Sequence, residues 1–446
     1  MYSVYSILVL AVFIVASPWF IYQALRYRKY VGSLGQRMGY LPVSFNIDGD
    51  ESIWIHAVSV GEVLTARPLV VDLRRRYPML RIFLSTTTMA GQQLARRNVP
   101  DVDEVFYFPF DLAPFVRRTL DLVKPRLFLM METEIWPVLL AECRRRGIKT
   151  AVVNGRLSSR SFPRYRLVRP FMRRVMADID RFLVQSDESA RRFVDLGADP
   201  SRVVVTGSLK FDSLDRPGTS PRLRARDRVL RYFRLPAPRP VLVAGSTMKG
   251  EEALVLSAFR RIRASHPNLL LVLAPRHPER FGEVEQLCRG EGWKTMRRTE
   301  LAIDTDPRAD IVLVDTIGEL ATLYQLGTVV FVGGSLLATG GHNILEPAVY
   351  GKPIVFGPHM ENFREIADGF VAAGAAVRLD DAGELEETLV DLLGDPVRRA
   401  RLGAAARALV EANRGAKDKT VAVLETLVEP RGPSNVVRFS PGSRSS

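Results

Sequence analysis

Trp54–Val70, WIHAVSVGEVLTARPLV, is the stretch whose reading decides the fold. An apolar run ending near Val58 has the length of a buried strand. Ser59-Val60-Gly61-Glu62 reads as a tight turn, and a helical pattern follows at once. The same grammar recurs outward along the chain. Ile53–Val58, Arg81–Ser85, Val105–Phe108, Arg126–Met131, Thr150–Val153, Arg181–Val184 and Val203–Thr206 read as strands, with helical periodicity between most of them. Such alternation predicts a parallel sheet with helices on both faces. Residues 212–239, rich in Pro, Arg and Asp, contain no apolar run of strand length. A second series then begins: Pro240–Ala244, Leu269–Ala274, Asp310–Val314, Thr328–Val332 and Pro353–Phe356. The expected fold class is therefore α/β, with two doubly wound Rossmann-like domains facing a cleft, where ligands bind at the carboxyl ends of the strands. The expected boundaries are 36–214 and 239–428 for the domains and 215–238 for the linker. The stretch 429–446 is expected to be a disordered tail, by composition. The last helices, Asp395–Val428, are candidates to pack back towards the first domain.

With 446 residues, 47% apolar and 25% charged, the chain has material for two sizeable cores. The formal charge of +14 is compatible with nucleic acid, an anionic membrane surface or an acidic substrate. No aromatics interleave with Lys/Arg in a nucleic-acid pattern, and no helix-turn-helix or zinc spacing is present, which sets nucleic acid aside. Two distant cysteines, Cys143 and Cys288, exclude a disulfide framework, and five histidines without close pairing argue against a metal cage.

Val4–Leu25 carries no charged residue. It is long enough for a bilayer core of about 30 Å at about 1.5 Å per residue. Arg26, Arg28 and Lys29 follow directly, and no basic side chain precedes it. The segment 1–25 is therefore expected to be an anchor helix with everything after it on the cytoplasmic side. A signal peptide would need a basic start, which is missing. A monotopic or buried helix is the other reading.

Several strand-end loops carry candidate chemistry. Glu62 sits in the first helical turn after a strand, either as a helix-start carboxylate or as a group facing ligand. FLMMETEIWP, Phe128–Pro137, puts Glu132 and Glu134 at another strand end. VNGRLSSRSFPRYRLVRPFMRR, Val153–Arg174, crowds Arg156, Arg160, Arg164, Arg166, Arg169, Arg173 and Arg174 among Phe162, Tyr165, Leu167, Phe171 and Met172. That is either a solvated helix face or a surface for anionic lipid headgroups. Lys210 in VTGSLKFD follows a strand and a Gly turn. In the second domain, AGSTMKGEEALVL offers backbone N–H groups suited to an anion. LAPRHPERF, VDTIGELATLY and FVGGSLLATGGHNILEPAVYGKPIVFGP add Arg276, Gly318-Glu319 and Glu346 to what reads as one nucleotide pocket.

Taken together, SVGEV, METEIWP, NGRLS, SLKFD, PRHPERF and GGHNILEP resemble the Kdo (3-deoxy-D-manno-octulosonic acid) transferases of lipid A biosynthesis, over nearly the whole chain. The resemblance implies a GT-B glycosyltransferase that moves Kdo from CMP-Kdo to the lipid A precursor at the inner membrane, inverting the anomeric centre. The first domain would take the lipid acceptor and the second the nucleotide sugar. It implies Glu62 as general base and Glu132 and Lys210 as transition-state support. It implies CMP contacts at Pro275, Arg276, Ile317, Gly318, Glu319, Asn343, Ile344, Leu345 and Glu346. No cofactor and no metal are expected, because CMP leaves with a single phosphate. Two positions depart from the family pattern: Met248 stands where a histidine is usual, and Ser208 where Asn is frequent. A UDP-sugar-dependent enzyme of the same architecture and an inactive membrane-tethered binding protein are the rival readings.

Overall fold

The computed structural model describes residues 2–27, 31–158, 161–214, 227–235 and 239–428. The chain forms two compact units, one running to Ser213 and resuming at Arg414, the other spanning Leu214–Asn413.

The first unit is built on a seven-stranded parallel sheet: β1 Ser52–His56, β2 Arg81–Thr86, β3 Glu104–Tyr107, β4 Pro125–Met131, β5 Lys149–Gly155, β6 Arg181–Val184 and β7 Val203–Val205. The spatial order is β3-β2-β1-β4-β5-β6-β7. All five residues of β1 are buried, because helices cover both faces of a central parallel strand. One core, on Trp54, Phe83, Phe106, Phe128 and Phe182, fills one side of the sheet. A second, on Ile53, Ile55, Leu69, Leu84 and Leu129, fills the other. The second unit has its own seven-stranded parallel sheet: β8 Val241–Thr247, β9 Leu270–Pro275, β10 Thr295–Arg297, β11 Ile311–Leu313, β12 Val329–Val332, β13 Ile354–Phe356 and β14 Val377–Arg378. Its order is β10-β11-β9-β8-β12-β13-β14. The edge strands β10 and β14 were not expected from sequence. Beside β8, Glu252 is buried and forms two bonds with Arg280, at 2.8 and 3.1 Å.

The helix Ala416–Glu425 joins the first unit and does not continue the second, which corrects the 239–428 boundary. The Asp212 carboxylate accepts the N–H groups of Gly415 and Lys417, both at 2.8 Å, and so caps this helix. Lys417 Nζ meets Asp72 at 2.5 Å, and Ala416, Val421, Leu424 and Val428 complete one of the two cores. Of the expected linker only 227–235 is described, with a short 3₁₀ turn at Asp227–Tyr232. The tail 429–446 lies outside the described residues.

The N-terminal helix spans Tyr2–Tyr27, with Pro18 inside it. Among the described residues no helix is long and apolar enough to cross a membrane, so the anchor expected over 1–25 is unconfirmed as a span. Part of this helix packs on its own unit. The Tyr2 hydroxyl donates to Asp178, Tyr5 stacks on Phe171 with centroids 5.7 Å apart, and Phe13 meets Phe110 edge-on at 5.1 Å. The Tyr5 hydroxyl also bonds Asp111, whose carboxyl burial pushes up to about 6. Tyr2, Tyr5, Val9 and Phe13, all half-buried, follow helical spacing and make one inward face. Ile7, Val12 and Val15, on the other side, are 65%, 67% and 81% exposed.

Candidate active site

In a doubly wound sheet the crevice opens where the chain reverses direction across the sheet. In the first unit that point lies between β1 and β4. Glu62 follows β1, and Glu132 and Glu134 follow β4. Ser59 caps the helix Val60–Arg76, and its hydroxyl donates to Glu62 Oε1 at 2.9 Å, while Val58 N–H donates to Oε2 at 2.8 Å. The helix start therefore folds the carboxylate back onto the strand end, a variant of the capping box. Capping and presentation to ligand are thus one arrangement. Burial pushes the Glu62 carboxyl up to about 7, against the Val58 hydrogen bond, with the Glu132 charge adding to the rise. A base poised there is matched to neutral pH.

Lys210 Nζ lies 3.5 Å from Glu132 Oε1. Both ends of this pair are held by unusual backbone. Glu132 adopts a left-handed φ of 56°, a conformation that non-glycine residues keep only where the surroundings enforce it. Its N–H bonds Val153 O at 2.9 Å. Asn154, with φ 57° and no exposure, accepts Leu209 N–H on its Oδ1 at 3.0 Å and so fixes the turn that carries Lys210. Ser208 Oγ accepts Lys210 N–H at 3.4 Å, a turn bond that suits the Ser at this position.

Glu134 belongs to the same cluster. Burial first, then the charges of Glu62 and Glu132, push it up to about 7. His56 Nε2 stands 4.0 Å from Glu134 Oε2. Burial drives the His56 pKa down to about 3, so the ring is neutral, stacked on Phe108 at 3.9 Å. Its Nδ1 lies 2.9 Å from Ser85 Oγ, which accepts the Trp54 indole N–H at 2.8 Å. Neither His56 nor Asn154 is marked as functional by the residues around it in sequence. Their partners lie tens of residues away, and no local signal marks them.

In the second unit the expected nucleotide residues sit at or beyond the carboxyl ends of β9, β11 and β12. Pro275 ends β9 and Arg276 follows it, Ile317-Gly318-Glu319 follow β11, and Asn343–Glu346 follow β12. Ile317 is 82% exposed, and Gly318 has φ 87°. Glu319 is already engaged, by Arg298 at 2.9 Å and Thr316 at 2.5 Å. Asn343 accepts Leu345 N–H at 3.1 Å and donates to Glu346 at 3.2 Å. Ile344 and Leu345 are fully buried. His342 is kept neutral: burial, then Arg276 and His277, lower it to about 4. The anion site expected at the AGSTMKGEE turn is not open. Glu251 of the same turn accepts Met248 N–H at 2.9 Å, together with the amides that follow β12. Met248 thus contributes its backbone to the turn, as any residue would. Among the described residues no group of three or more His, Cys, Asp or Glu is placed to hold a metal ion.

The basic stripe lies on two short helices, Phe162–Leu167 and Arg169–Met176. Arg164, Arg166, Arg169, Arg173 and Arg174 are exposed, Leu167 and Val168 are 85% and 48% exposed among them, and Arg160 lies outside the described residues. Phe171 on the second of these helices is the residue that Tyr2 and Tyr5 pack against.

Residues 32–213 match the family model described as 3-deoxy-D-manno-octulosonic-acid transferase (kdotransferase). The chain is 33% identical over 407 residues to a 3-deoxy-D-manno-octulosonic acid transferase of Haemophilus influenzae, covering 90% of this chain and 92% of that one. It is 36% identical over 381 residues to one of Bordetella pertussis, covering 84% and 86%. Among solved structures, a UDP-GlcNAc 2-epimerase of Neisseria meningitidis bound to UDP-GlcNAc is similar with a TM-score of 0.59 at 13% identity, over 84% of this chain and all of that one. That likeness extends to the fold of two parallel-sheet domains.

Proposed function

Because the chain belongs to the 3-deoxy-D-manno-octulosonic acid transferases, we propose that it moves Kdo from CMP-Kdo to the lipid A precursor, lipid IVA, with inversion, in lipopolysaccharide biosynthesis. The observation that carries the mechanism is the Glu62 carboxyl, oriented by Ser59 and Val58 and raised to about 7 beside the Lys210–Glu132 pair. Glu62 takes the proton of the acceptor hydroxyl as its oxygen attacks the anomeric carbon of Kdo, and the bond to CMP breaks. Lys210 supplies positive charge for the anionic donor, held in place by Glu132 and Asn154. Arg276, the 317–319 loop and the 343–346 turn hold the CMP part of the donor. Mass spectrometry of the product from CMP-Kdo and a tetra-acylated disaccharide acceptor tests this directly. Turnover with a UDP-sugar and none with CMP-Kdo would overturn it.

The leaving group carries one phosphate, and basic side chains neutralise its charge. Full activity is therefore expected after exhaustive chelation. A strict, reversible dependence on added Mg²⁺ refutes this account.

We place the protein at the cytoplasmic face of the inner membrane as a monotopic enzyme. A helix packed on its own domain from Tyr2 to Phe13 presents its other face to lipid. The Arg stripe lies next to it through Phe171, and each basic residue near an anionic surface contributes about 1 kcal/mol. Changing Ile7, Val12 and Val15 together to Ser is expected to weaken sedimentation with anionic vesicles at least about 10-fold. The melting temperature should stay unchanged, because these side chains are exposed in the fold. High salt should release the remainder by screening the Arg stripe. Undiminished vesicle binding by the triple variant removes the helix from the attachment.

A further inference from the structure

The second sheet reverses between β8 and β12, and the crevice there is the customary seat of a ligand anion. In this chain a carboxylate of the protein itself occupies it. Glu251 has no exposure. Its Oε2 accepts the N–H groups of Met248 at 2.9 Å and Gly334 at 2.6 Å. Its Oε1 accepts those of Ser335 at 2.9 Å and Leu336 at 2.8 Å. Ser335 extends the network: its hydroxyl donates to Val332 O at 2.6 Å and accepts Gly357 N–H at 2.9 Å, and its carbonyl accepts His359 N–H at 3.0 Å. The approach is close enough to demand glycine. A Cβ on Gly357 would collide with Ser335 O, and one on Gly333 would lie 2.7 Å from Thr247 Cα. The ends of β8, β12 and β13 are thus tied through one buried carboxylate and one hydroxyl.

We propose that Glu251 is a positioning residue of the donor site, an internal anion that holds the loops after β8, β12 and β13 in register. The amides of Gly334, Ser335 and Leu336 are spent on Glu251, so the donor phosphate is met by groups outside this nest, with Arg276 the cationic candidate. The proposal rests on the second unit binding CMP.

The test uses full-length Glu251→Gln and Ser335→Ala, at a temperature where circular dichroism shows each folded. In Glu251→Gln the side-chain NH₂ would face two N–H donors whichever oxygen it replaces, so two of the four bonds are lost. Three readouts are taken: hydrogen exchange of residues 334–336 without ligand, CMP affinity by calorimetry, and donor KM against kcat. In Glu251→Gln, exchange at 334–336 should accelerate and CMP affinity fall, each at least about 10-fold, with KM for the donor rising more than kcat changes. A residue that only stabilises the fold would lower the melting temperature and leave CMP affinity untouched. Wild-type CMP affinity in a folded Glu251→Gln overturns the proposal, as does unchanged exchange at 334–336. If Glu251→Gln does not fold, Ser335→Ala decides. It keeps the carboxylate and all four amides, removes only the hydroxyl's bonds to Gly357 N–H and Val332 O, and should weaken CMP about 3-fold; wild-type affinity there overturns the proposal. If the wild-type protein does not bind CMP, the functional reading fails, and accelerated exchange still supports Glu251 as the holder of the loops while unchanged exchange removes it.

Discussion

Glu62→Gln is expected to lose at least about 100-fold in turnover, the usual loss when a general base is removed, with CMP affinity unchanged. The two effects separate because the residues proposed to hold the nucleotide belong to the other unit. The wild-type rate should fall as pH drops through about 7, where the Glu62 carboxyl takes up its proton. The same substitution should stabilise the fold. The folded-state pKa of Glu62 lies above its ordinary 4.5, at about 7. The proton-linked stability is therefore fully present below about 4.5 and lost as pH rises through about 7. Gln removes that loss, and above neutral pH the variant should gain on the order of 1 kcal/mol after allowance for solvent screening. A pH–rate profile and a denaturant titration above neutral pH read both effects. More than half the wild-type rate in Glu62→Gln would exclude Glu62 as the base.

Arg280→Ala should be the most destabilising surface-accessible change in the second unit. Glu252 is 1% exposed in its side chain and meets Arg280 at 2.8 Å. Removing the guanidinium leaves a buried carboxylate without its partner, which costs about 3–5 kcal/mol. The urea midpoint should fall with little change in slope. Replacing both residues together, Glu252→Leu with Arg280→Met, should recover most of the loss, because an apolar pair carries no desolvation penalty. If the double variant is as unstable as Arg280→Ala, packing around the Arg280 stem accounts for the effect and the charge does not.

The sheets were legible wherever the strand was apolar and the turn short, as at Ile53–Val58 and Arg126–Met131, because burial on both faces writes a continuous apolar run. β10, Thr295–Arg297, and β14, Val377–Arg378, escaped notice because edge strands of two or three residues with an Arg in them carry no such run. Glu62, Glu132 and Lys210 stood out as polar residues at strand ends, and resemblance gave them roles. His56, Asn154 and Glu251 did not stand out. The significance of Glu251 depends on amides 83 to 85 residues further along the chain, and that of Asn154 on an N–H 55 residues away. Only the folded chain brings these together. The N-terminal segment shows the opposite limit. Its apolar run reads the same for a span and for a helix lying on the domain, and the contacts it makes with its own unit, Tyr5 with Asp111 and Phe13 with Phe110, are again long-range.

The return of the chain to the first unit at Arg414 has a consequence for biosynthesis. During translation the strands of the first sheet are complete by Val205, but Ala416, Val421, Leu424 and Val428, which close one face of it, have not yet been made. At about 5–20 residues per second, the ribosome needs roughly 10–40 s to add the intervening unit. Through that interval Leu69, Leu84 and Leu209 lack part of their cover, and Asp212 and Asp72 await Gly415 and Lys417. The second unit, continuous in sequence, can finish folding while the first is still open. The nascent first unit is therefore the species that chaperones would have to shield.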